Sequence, residues 1–371
     1  MAEQALLKDQ LGFAAISELR RRFTAVYPEF DGQGFEDKAS AGLEQLELKA
    51  RVRHIIEALA DKLPTDFCET AQILAQLADS WLKQSPERNW TSYAAWPVID
   101  YVGIYGLPDP QRAFSVLEKL TPLFTAEFAI RPFVERHFEL TYQQMLRWAE
   151  HDNEHVRRLA SEGLRPRLPW AAHISSLRQD PSPLWPLLDK LKADPSLYVR
   201  RSVANNLNDI SKDHPDQVLA VCKSWQQQTN NHTDWVIRHG LRSLVKSGVK
   251  AVYPLLGFSK QPQLSDIKLR LDRENLAVGQ SLTLSLTCES GQSQHLVIDY
   301  RVGYIRADGK RSYKVFKWKN IRLQPDEKLS LKKTHSFKPI STRQYYPGSH
   351  VIEVLINGET LAREAFELTP V

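Results

Sequence analysis

Over the first ~257 residues, apolar positions recur every three or four residues; after Gly257 they alternate with polar ones. The first rhythm is that of amphipathic helices and the second that of half-buried strands. It predicts helices over Ala5–Arg22, Leu43–Lys62, Glu69–Lys83, Gln111–Leu120 and Glu139–Glu150, punctuated by prolines and Asx, Ser or Thr caps. Strands are predicted over 266–272, 280–288, 295–305, 311–322, 328–336 and 350–369, separated by turn signals such as ADGK at 307–310 and INGE at 356–359. Six or seven short strands in about 105 residues fit an immunoglobulin-like β-sandwich.

A repeat lies inside the helical part. One copy is DNEHVRRLASEGL (152–164), a second DPSLYVRRSVANNLNDI (194–210), and a weaker third HTDWVIRHGLRSLV (232–245). Aligning Val156, Val199 and Val236 gives spacings of 43 and 37 residues, the period of stacked antiparallel helix pairs of HEAT type. The helical period sends Val156, Leu159, Ala160 and Leu164 to the core in the first copy, and Val199, Val203, Leu207 and Ile210 in the second. It leaves Arg158, Glu162 and Arg165 together on another side, with Arg201, Asn205, Asn208 and Asp209 on the polar side of the second copy. In the third, Arg238, Arg242 and Lys246 fall four apart, one above the next. The stacked copies would then form a basic groove with carboxylates inside it. The expected organisation is an all-α HEAT-like solenoid of about six helical pairs over 1–257, a linker over 258–264, and an all-β sandwich over 265–371.

Length and composition agree with a folded multidomain chain: 371 residues, 42% hydrophobic and 25% charged. No run approaches eighteen apolar residues and the first ten lack a signal-peptide pattern, so a cytoplasmic protein without a membrane partner is expected. Cys68, Cys222 and Cys288 stand too far apart for metal or redox spacing, and neither metal nor cofactor is expected. Net charge is distributed unevenly. Residues 1–150 carry 16 Lys and Arg against 22 Asp and Glu, residues 151–260 carry 16 against 10, and residues 261–371 carry 17 against 12. An acidic start followed by two basic parts points to a polyanion-binding surface from residue 151 onward, with solvated surface charge as the plain alternative. Between Arg306 and Lys319, Lys310, Arg311, Lys314, Lys317 and Lys319 interleave with Tyr313, Phe316 and Trp318, as in a strand that grips a phosphate backbone or one whose lysines guard an edge.

The sequence lacks GxxxxGK[ST], GxGxxG, HExxH and GxSxG. Four stretches carry a family signal instead: TAEFAIRPFV (125–134), HVRRLASEGLRPRLPWA (155–171), YVRRSVANNLNDISKDHPD (198–216) and DWVIRHGLRSLVKSG (234–248). They resemble the AlkC family of DNA alkylation repair glycosylases, within the HEAT-like-repeat superfamily, and the β-rich end resembles the immunoglobulin-like appendage of one of its subgroups. The resemblance implies a monofunctional glycosylase, acting as a monomer on duplex DNA, that excises cationic N3-methylated bases, 3-methyladenine foremost and 3-methylcytosine with it. The lesion is expected to stay largely in the duplex. Matching the family's motifs places Glu162, Asp209 and Trp170 in the active site, with Glu127 in support. Arg158, Arg165, Arg167, Arg201, Asn205, Arg238, Arg242, Lys246, Lys314 and Lys317 are the candidate DNA contacts. Two other classes compete: a non-catalytic nucleic-acid-binding scaffold, and an adaptor whose groove grips acidic segments. Read without the family, Glu162 is a helical-spacing partner of Arg158 or Arg165 and Trp170 a plug between repeats.

Overall fold

The computed structural model describes residues 6–84, 93–228 and 230–370; Ala5, with which the first predicted helix begins, lies outside them. By compactness the chain forms two units, one running through Asp213 together with Gln228–Gly240, the other comprising His214–Gln227 and Leu241–Val371. The boundary expected at 257 follows the change of periodicity, whereas packing places the short helices Arg242–Lys246 and Val252–Leu255 with the strands.

The first unit is helical. Phe13–Val26, Leu48–Ala60, Phe67–Gln84, Pro110–Leu120 and Phe138–Trp148 correspond to the predicted helices. The two longest in this unit without a counterpart in the predicted set are Gly32–Ser40 and Ala95–Tyr105. Gly32–Ser40 carries two glycines, and Ala95–Tyr105 is apolar on nearly every side, so neither shows a contrast of faces. Gly103 in the latter backs directly onto Ala129, whose carbonyl oxygen would lie 2.7 Å from any Cβ added there.

The three repeat copies pack side by side, with Leu197–Ile210 lying against both Glu154–Glu162 and Asn231–Gly240. Asn153 caps the first of these by accepting from His155 N at 2.8 Å. Asp194 ties the first copy to the second: Arg157 grips it at 2.7 and 3.1 Å, and it accepts from Ser196 N ahead of the second helix. The third copy departs from expectation. Its helix ends at Gly240 and a new one begins at Arg242, with Leu241 at ψ 3° between them. Arg238, Arg242 and Lys246 are therefore not one ridge on a continuous helix.

In the second unit, eight strands form two sheets: β1 (Leu264–Leu271), β2 (Asn275–Ala277), β3 (Ser281–Ser290), β4 (Gln294–Ile305), β5 (Arg311–Leu323), β6 (Lys328–Ser336), β7 (Gly348–Ile356) and β8 (Glu359–Thr369). The sheet orders are β1-β3-β6 and β2-β8-β7-β4-β5, with only β2 and β8 parallel. The segment predicted as one strand over 350–369 splits at Asn357-Gly358, where two consecutive positive φ angles (47° and 78°) make the tight hairpin turn that Asn-Gly favours. Inside, His335 lies between the hydroxyls of Tyr300 and Tyr304, each 3.0 Å from a ring nitrogen. Burial pushes the His335 imidazole down to about 4, so it is a neutral core group.

Candidate functional site

Two arginines, Arg165 buried and Arg158 largely so, organise the repeat helices around three carboxylates. Arg158 reaches Glu127, and its Nη2 lies 3.2 Å from Glu162 Oε1, one turn further along the same helix. Arg165, just past that helix, donates from Nη1 to the same Oε1 at 2.7 Å and from Nε to Asp209 Oδ2 at 2.9 Å. The result is an alternating chain: Glu127, Arg158, Glu162, Arg165, Asp209. Its members come from the loop before Arg131–Arg136, from Glu154–Glu162 and the turn after it, and from the last turn of Leu197–Ile210. Glu162 and Asp209 are 4% and 2% exposed, so water screens the chain little. Burial alone would raise the Glu162 carboxyl; Arg158 and Arg165 more than offset it and hold it below the ordinary carboxylate range.

Arg158 and Arg165, expected among the DNA contacts, are paired with the acids, Arg165 buried and Arg158 largely so. Helical spacing puts them beside Glu162, but it does not distinguish a flank facing solvent from one facing the next repeat. Arg167 is also engaged, clamping Asp213 at 3.0 and 2.6 Å outside the chain of five. Arg201 is exposed and Asn205 half-buried on Leu197–Ile210, and Arg238 is exposed near the end of Asn231–Gly240. In the second unit Arg242 is half-buried, and Lys246 is exposed on the same short helix. Lys314 and Lys317 are exposed on β5, one of the two edge strands of its sheet.

Trp170 is held differently. It is 62% exposed and sits at φ 65°, a left-handed backbone conformation that bulky residues rarely adopt. Pro166 and Pro169 precede it in a segment without helix. That segment is pinned by Arg131, whose guanidinium donates to the carbonyls of Gly163 (3.2 Å), Arg165 (3.0 Å) and Ala172. The Lys49 ammonium donates to the carbonyl of Trp170 itself. The chain thus fixes the backbone of an exposed tryptophan at a cost of about 1–3 kcal/mol, which persists only where surrounding contacts impose it. Sequence reading assigned no role to Arg131 or Lys49. The available hint was Arg131 inside the TAEFAIRPFV stretch, an arginine in an apolar context that must find buried acceptors.

Comparison with known proteins fits this arrangement. Residues 124–244 match a family model described as DNA alkylation repair enzyme. Residues 266–370 match one described as the C-terminal Ig-like domain of the uncharacterised protein YhaZ. The chain is 40% identical to the uncharacterized protein YhaZ of Bacillus subtilis, over 95% of its own length and 96% of the relative's. A solved structure of the Pseudomonas fluorescens alkylpurine DNA glycosylase AlkC, bound to DNA containing an abasic site analog, is 38% identical and superposes with a TM-score of 0.89, covering 98% of this chain and 100% of that one. The chain belongs to the AlkC family of DNA alkylation repair enzymes. The family model begins three residues before Glu127 and spans all five members of the charge chain and Trp170. The AlkC architecture of helical repeats followed by an Ig-like domain is the one found here.

Proposed function

We propose that the protein is a DNA glycosylase that hydrolyses the N-glycosidic bond of cationic N3-methylated bases in duplex DNA, 3-methyladenine foremost and 3-methylcytosine with it, to begin base-excision repair. The observation that carries this reading is the row of carboxylates paired with Arg158 and Arg165, with Glu162 and Asp209 buried, together with an exposed tryptophan whose backbone is pinned. An N3-methylated base already bears a positive charge, so it departs with the bonding electrons without a general acid. What the reaction requires is stabilisation of the positive charge that grows on the deoxyribose, and a water molecule directed at its anomeric carbon. Fixed carboxylates in a poorly screened site supply both, as they do for oxocarbenium-like transition states in glycoside hydrolysis. Arg158 and Arg165 keep Glu162 charged and in place, and the face of Trp170 suits a cationic base or sugar. The exposed Arg201, Arg238, Lys246, Lys314 and Lys317 suit the phosphate backbone and the duplex shape. With such contacts the lesion stays in the stack and the protein acts as a monomer.

The test is to incubate the protein with methylated duplex DNA and identify the released bases by mass. Release of 3-methyladenine is expected; intact lesions on tightly bound DNA would leave a non-catalytic scaffold. Trp170→Gly separates the indole's role from its strain. Glycine adopts φ 65° freely, so thermal melting should show a stability gain of about 1 kcal/mol while base release falls. Undiminished release would remove the indole from the chemistry.

A further inference from the structure

Beside the carboxylates lies a second feature that the proposed hydrolysis does not use. The helix Ala95–Tyr105 turns one face, Trp96, Asp100, Gly103 and Ile104, into a cavity of about 540 Å³ whose other walls include Phe128 and Trp170. That volume lies in the range of small-molecule sites, about 300–1,000 Å³. The lining is mostly apolar and aromatic. Trp96 stacks in near-parallel fashion on Phe124 and Phe128, at interplanar angles of 21° and 22°. The Lys49 ammonium lies 5.6 Å above the Phe128 ring.

Asp100 is the exception in this lining. Its Oδ2 accepts from the Trp96 indole N–H at 2.8 Å, whereas its Oδ1 is buried without any partner. A buried carboxyl oxygen without a donor is costly, and native proteins rarely leave one so. Burial raises the carboxyl to about 7, Trp96 and Lys49 pull it down, and the charge of Glu127 pushes it up, which puts Glu127 within electrostatic reach. Glu127 also directly precedes the wall residue Phe128, and Trp170 lines this cavity. A guest that fits these features is flat, stacks on aromatic faces, and presents one N–H to the Asp100 carboxyl at the cavity wall.

We propose that this cavity is a binding site for a planar nitrogen heterocycle bearing an N–H, and that in the reaction proposed above it receives the purine once its bond to the sugar is broken. The assignment rests on that reading for the identity of the guest. It implies that the freed base lingers on the protein and competes with the next turnover.

Equilibrium dialysis of the full-length protein against free 3-methyladenine tests it, together with inhibition of base release from methylated DNA by the same compound. Saturable binding is expected, weakened at least tenfold by Asp100→Ala. Because Asp100 also holds Trp96, Ile104→Trp serves as a second variant. Ile104 is 52% exposed at the rim, and a larger side chain there should obstruct the cavity without disturbing the fold. Both variants should need at least tenfold more 3-methyladenine for equal inhibition. Absence of binding to the wild type, or binding that neither variant weakens, overturns the assignment. The two readings fail separately. Base release from DNA without binding of free base removes the cavity site and leaves the glycosylase, whereas cavity binding without release from DNA removes the glycosylase.

Discussion

Duplex DNA carrying 3-methyladenine should keep its lesion when the protein bears Glu162→Gln. Glutamine preserves shape and one acceptor oxygen but removes the negative charge that Arg158 and Arg165 hold in place. Removing one preorganised electrostatic contact of this kind lowers rates by about 10²–10³. DNA affinity should change little, because Glu162 is only 4% exposed and offers no cation to the backbone. The fold should survive, since Arg158 retains Glu127 and Arg165 retains Asp209. Single-turnover base release and a binding titration on the same DNA check the pair of outcomes. A rate within threefold of wild type would take Glu162 out of the mechanism.

Arg165→Met should cost more in stability. It leaves Glu162 and Asp209 buried without the cation they share, and breaking a buried pair in this way costs about 3–5 kcal/mol. The pH dependence should change with it. In the wild type the Glu162 carboxyl titrates below its ordinary value of 4.5, so its contribution is fully present above that value and lost as pH falls through the lowered one. In the variant burial is opposed chiefly by Arg158 alone and the carboxyl titrates higher than in the wild type, so it loses its charge earlier as pH falls. Thermal melts taken from about pH 7 down to about pH 5 should show the variant gaining relative to the wild type. Parallel curves would show that Arg165 does not carry this coupling.

The sequence was more legible for elements than for partners. The repeat helices follow from valines and leucines at helical spacing, and the sandwich follows from alternation after Gly257. Ala95–Tyr105 gave no such signal because Trp96, Pro97, Val98, Ile99, Tyr101 and Val102 are all buried. Asp100, the polar residue at its cavity, went unread with it. Glu127, Glu162, Asp209 and Trp170 were marked by resemblance to a family, not by spacing. Local periodicity places Glu162 near Arg158 and Arg165, but the bond from Arg165 to Asp209 spans 44 positions. Such a contact depends on how one repeat sits on the next. The same limit explains why the burial of Arg165, which reads as groove-facing, does not show in the spacing.

All five members of the charge chain lie between residues 127 and 209, within one uninterrupted stretch of polypeptide. During synthesis, this constellation has therefore emerged in full well before β1 begins at Leu264. At about 5–20 residues per second, the rest of the chain follows over roughly ten to thirty seconds. The acids have that interval to find their arginines while the strands are still unmade, so errors in sheet assembly arise after the charged interior has had time to close.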